Sequence, residues 1–96
     1  MRSYEEKSRG MIPSDLLILE GFLHEDVVYY FVQKAGVVSD GQMIVFPKGS
    51  GIYIISWLQK QADNLGYKFF ELSFQQKKAL IDKFFNNEHI YTKVET

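Results

Sequence analysis

The feature that most constrains this chain is the stretch 42–66, QMIVFPKGSGIYIISWLQKQADNLG. It carries the most apolar run (Ile52, Tyr53, Ile54, Ile55, Trp57 and Leu58) and the lone tryptophan. Immediately before the run stands the turn Pro47-Lys48-Gly49-Ser50-Gly51. Two conformations compete for residues 52–57. As a helix, Ile52, Ile55, Leu58, Ala62 and Leu65 share one stripe at spacings of three and four. Ser50 would then cap the start, and Gly66 would close the end in the left-handed conformation. As a strand, the β-branched and aromatic residues suit a pleated surface and would pair with 43–46 across the loop. Continuation of the spacing to 62 and 65 favours the helix. In either form the run is expected to be buried, with Tyr53, Ile54 and Trp57 calling for cover on more than one side.

Ninety-six residues make one domain, which buries roughly two-thirds of its unfolded surface without staples. Cysteine is absent, so neither a disulfide framework nor a thiolate metal site is available. A reducing, cytoplasmic setting is the corresponding expectation. Residues 1–10 are polar and charged, do not resemble a signal peptide, and are expected to be flexible. Residues 11–96 are expected to form a single globular domain. No apolar run approaches the ~20 residues that span a bilayer, so no membrane association is expected.

A net charge of −1 argues against a general nucleic-acid binder. The charge is uneven, however. Residues 14–40 hold five acids against Lys34 alone, and residues 42–96 hold seven lysines against five acids. Aromatics make up 16% of the chain, eight Phe, six Tyr and one Trp, which is more than one small core needs. Such residues are favoured at interfaces.

In order along the chain, Ser14 and Asp15 mark the start of a first helix, with Leu16, Leu19, Leu23, Val27 and Tyr30 on one face. Gly21 predicts a bend or break between 21 and 25, giving one helix or a pair, and Gly36 ends it. Val37 to Phe46 reads as a hairpin around Asp40-Gly41. The central helix occupies about 51–65. Residues 67–72 read as a further strand. Ser73 and Gln76 form a capping box for a C-terminal helix over 73–86, and 89–94 could add an edge strand. The expected class is therefore α+β: a small single domain with an antiparallel hairpin or sheet (about 37–46 and 67–72) among these helices.

Candidate chemistry is sparse. The loop at 47–51 offers backbone N–H groups ahead of a helix, with Lys48 and Ser50 as anion contacts. Its lysine precedes the glycines, unlike a P-loop. Gly51-Ile52-Tyr53 matches the first half of the GIY-YIG nuclease signature, and with no Tyr-Ile-Gly after it the match is set aside. His24 and His89 lack ligand spacing, so no metal and no cofactor are expected, and no catalytic set can be assembled.

The function expected from these residues is a small non-enzymatic interaction or regulatory module. It would dock a protein partner, or a second copy of itself, through Tyr29, Tyr30, Tyr53 and Trp57. The alternative is nucleic-acid binding through lysines of the C-terminal half, with Lys48, Ser50, Lys68, Lys77 and Lys78 as contacts.

Overall fold

The structure, a computed structural model, describes residues 10–39, 41–86 and 92–95. Three helices carry the fold: α1 (Pro13–Ser39), α2 (Ser50–Asn64) and α3 (Phe74–Asn86). Two four-residue strands, β1 (Gln42–Val45) and β2 (Thr92–Glu95), pair antiparallel, with Gln42 opposite Glu95 and Val45 opposite Thr92. A 3-10 turn, Phe69–Glu71, links α2 to α3.

The domain is essentially helical, which overturns the expected α+β class. No hairpin forms over 37–46, because α1 runs on through Val37 and Val38 to Ser39. The Ser39 hydroxyl donates to the Gly36 carbonyl at 2.7 Å, holding that last turn. Gly41, at φ 85, supplies the positive φ that a hairpin turn also needs, and here it follows a helix end. The partner of β1 comes from the other end of the chain, so the edge strand read at 89–94 is found over 92–95, with 89–91 outside the described residues. Residues 67–72 form no strand either. Glu71 folds back to accept the Lys68 N–H at 2.7 Å, and the Phe69 N–H donates to Gln59 Oε1 at 3.3 Å, so side chains take bonds that a strand would give to a neighbour.

Helix α1 is kinked at His24, whose φ of 64 and ψ of 178 lie in a region nearly reserved for glycine. The expected break falls there and not at Gly21. The buried face nonetheless continues through the kink: Leu16, Leu19 and Leu23 are buried before it, and Val27, Val28, Phe31, Val32 and Ala35 after it. Phe31, four residues beyond Val27, enters the core where Tyr30 was expected, and Tyr30 is only partly buried beside it. Pro13 occupies the first helical position, where its missing N–H costs nothing, and Ser14 lies inside the first turn.

The central helix forms as the spacing predicts, and Gly66 closes it at φ 87. Its buried stripe is different: Gly51, Ile54, Leu58 and Ala62 face inward, while Ile52 is 56% and Leu65 53% exposed. The cause is a close approach between backbones. A Cβ added to Gly51 would stand 2.6 Å from the Asp15 carbonyl oxygen, so glycine lets α2 sit directly on the start of α1. That contact fixes the rotation of α2. The expected cover on several sides is partial: Ile54 is buried, Ile55 and Trp57 are half-buried against the core, and Tyr53 is exposed.

The α3 capping box forms as read. The Ser73 N–H donates to Gln76 Oε1 at 2.9 Å, and the Gln76 N–H donates to Ser73 Oγ at 3.2 Å. Leu80, Ile81, Phe84 and Phe85 of α3 pack into a core that α1 joins to α2. Phe31 sits at its centre, with ring centroids 5.0 Å from Phe85, 6.2 Å from Phe46 and 6.3 Å from Phe84.

Candidate functional site

The anion site expected at the start of α2 is met from within. Gly49, at φ 90, precedes the helix, and its N–H donates to Asp15 Oδ2 at 3.0 Å. A helix N-terminus favours a negative charge, and here the charge is a carboxylate from α1, itself 4% exposed. Ser50 is not the cap. It is the first helical residue, fully buried, and its hydroxyl makes no hydrogen bond to the described residues. Of the two residues expected to meet an external anion there, only Lys48 reaches the surface.

A concave surface lies elsewhere among the described residues, between the arm of α1 that follows the kink and the first turns of α3. Two open hollows, of about 420 and 370 Å³, adjoin there and share Asp26 and Phe74. The larger is also lined by Tyr29, Tyr30, Gln33 and Lys78, the smaller by Leu23, His24, Val27 and Lys77. The capping box positions one wall. It fixes the α3 start at Phe74, and Lys78 follows four residues later on the same face. The other wall is one face of α1 after the kink, where Asp26, Tyr29, Tyr30 and Gln33 fall together at helical spacing.

Lysines here lie against rings. Lys78 Nζ is 4.9 Å from the Tyr30 ring centroid and 5.2 Å from that of Phe74. Lys77 Nζ is 5.5 Å from the Phe69 centroid, and the Phe69 ring also stacks on Phe22 with centroids 4.9 Å apart. The Tyr30 hydroxyl donates to Asp82 Oδ1 at 2.5 Å, and Lys34 Nζ pairs with the same oxygen at 3.5 Å. The bond to Asp82, with burial and the carboxylate charge behind it, pushes the Tyr30 phenol up to about 12.

The four aromatic anchors expected from the sequence divide into two pairs. Tyr29 and Tyr30 line the groove, with Tyr29 43% exposed. Tyr53 is 40% exposed on α2, and Trp57 packs edge-on to Phe84 at 5.6 Å, at the rim of the core. Tyr30 meets α3 at Lys78 and Asp82, whereas Trp57 meets it at Phe84, so these two rings approach α3 at different positions. Lys68 is exposed on the link between α2 and α3, next in the chain to Phe69, and takes no part in the ring contacts of Lys77 and Lys78. Reading the sequence missed Phe74, Asp26 and Asp82. The Phe74–Lys78 pair, an aromatic and a cation at i and i+4 just behind a capping box, was the available signal.

Among the described residues, no three His, Cys, Asp or Glu gather as a metal site, and no helix is long and apolar enough to cross a membrane. No known family model, curated protein or solved structure matches this chain.

Proposed function

We propose that this protein is a small, non-enzymatic interaction or regulatory module that docks a protein partner, or a second copy of itself, through aromatic surface. The observation that carries this is the division of its rings. Five phenylalanines are buried, while Tyr29, Tyr53, Tyr67, Phe70 and Phe74 are 40% exposed or more. Rings that the core does not use, beside a polar rim, are what interface centres are made of. Tyr29 and Phe74 in the groove are the principal anchors, and Tyr53 a second contact. Trp57, half-buried against Phe84, serves more as support. A cytoplasmic setting belongs to the same proposal, and the cysteine-free sequence is compatible with it.

Nucleic-acid binding through Lys48, Lys68, Lys77 and Lys78 has weaker support. Lys77 and Lys78 are spent on ring faces, and Asp26 and Asp82 stand beside them.

Light scattering over a range of concentrations, with affinity capture by wild type, Tyr29→Ser and Tyr53→Ser, tests the proposal. Self-association or a captured partner that weakens in either folded variant is the expected result. A monomer at all concentrations, with capture indifferent to both substitutions, overturns it.

A further inference from the structure

Two ring faces converge on one ammonium group in the larger hollow. Lys78 Nζ lies 4.9 Å from the Tyr30 centroid and 5.2 Å from the Phe74 centroid. Tyr29 lines the same hollow, and so does the Asp26 side chain, which is exposed. Ring faces are negative, and a carboxylate at the rim adds a full charge, so the surroundings favour a cation. Asp82 is already engaged by the Tyr30 hydroxyl and by Lys34, which leaves Asp26 for a newcomer. Beside Lys78 the open hollow leaves about 420 Å³.

We infer that this hollow is a cage for the alkylated ammonium group of a partner protein's lysine, and that Lys78 is its displaceable resident. The inference rests on the docking reading and names the chemistry the partner brings. Lysine's own ammonium is strongly hydrated, so it gives up water reluctantly to lie on a ring. Methylation keeps the charge and removes the N–H donors that hold that water. A trimethylammonium therefore enters at lower desolvation cost than Lys78 does. The resident is on a flexible stem and half-buried, and it swings out when a better cation arrives. Its presence identifies the kind of group these rings accept.

An NMR titration of the full chain with Nα-acetyl-trimethyllysine amide tests this, run beside the unmethylated probe and tetramethylammonium chloride. Saturable shifts at Tyr29, Tyr30, Phe74 and Lys78 are expected, with the unmethylated probe about fivefold weaker. Lys78→Met keeps the stem, removes the competitor, and is expected to tighten binding about threefold. Phe74→Ala and Asp26→Asn are expected to weaken it with melting unchanged, since both side chains are exposed. A flat titration, equal response to both lysine probes, or weaker binding by Lys78→Met overturns the cage. Tetramethylammonium binding as tightly as trimethyllysine assigns the hollow to free quaternary amines and overturns the partner-lysine assignment. A flat titration with Tyr29-dependent docking intact removes the cage alone, whereas saturable shifts without docking or self-association remove the module reading.

Discussion

Helix α3 presents rings to two regions that treat them differently. On its inner side Phe84 and Phe85 meet Phe31, with all three at most 2% exposed and none carrying a polar atom. Toward the groove, Phe74 stands open beside Tyr29 and Tyr30, with Lys78 and Asp82 among them. The inner region is held by exclusion of water, the outer by hydroxyl, ammonium and carboxylate contacts. Ring content alone thus does not measure core size; what a ring has as neighbour decides whether it seals or receives.

The sharpest way to break that contrast is Phe84→Ala. It should cost about 3–5 kcal/mol, because its ring contacts with Phe31, Trp57 and Phe85 are among those that vanish and a cavity remains, and thermal melting reads it directly. Next is Gly51→Ala, which tests whether the start of α2 is as closely packed as the Phe cluster. With its Cβ 2.6 Å from the Asp15 carbonyl oxygen, a loss of about 1–3 kcal/mol in urea unfolding is expected. A neutral result would show that the helices separate cheaply. Asp15→Ala, which orphans the Gly49 N–H, should cost about 1–2 kcal/mol by the same measurement.

Tyr30→Phe probes the outer region, where about 1 kcal/mol is expected. It also carries a pH signature. The phenol is raised from 10.0 to about 12 in the folded chain, so the folded state holds its proton longer. That contribution is complete below the unfolded value of 10.0 and is lost as pH rises toward about 12. Melting should therefore fall across this alkaline window in the wild type and less steeply in Tyr30→Phe; identical slopes would remove the Asp82 bond as the cause. Smallest of all is Tyr29→Ser, expected within about 0.5 kcal/mol of wild type while docking weakens. A large loss of stability would place Tyr29 with the sealed rings.

Much of the helical architecture was legible. The α2 span, its Gly66 close and the α3 capping box follow from local rules, and the break expected between 21 and 25 falls at His24 and not at the glycine that suggested it. What misled was local chemistry with two uses. Asp40-Gly41 reads as a hairpin turn, yet Gly41 follows a helix end, and the strand after it finds its partner about fifty residues further along the chain. Tyr67 to Leu72 has strand composition, but Glu71 and Gln59 take the backbone bonds. Ile52, Ile55 and Leu65 form an apolar stripe, yet Gly51 against Asp15 turns another face inward. Half the groove was visible as Tyr29 and Tyr30. Phe74, Asp26 and Asp82 were not, because their convergence depends on how α1 and α3 cross.

The kink at His24 has a consequence for motion. A residue outside helical dihedrals interrupts the ladder of i to i−4 bonds, so α1 is two cooperative segments and not one rod. The first is clamped at Asp15 and Gly51, the second at Tyr30 and Asp82. Amide exchange should then report two protection levels, with a step at residue 24, and the groove wall can open and reclose while the helix before it stays shut.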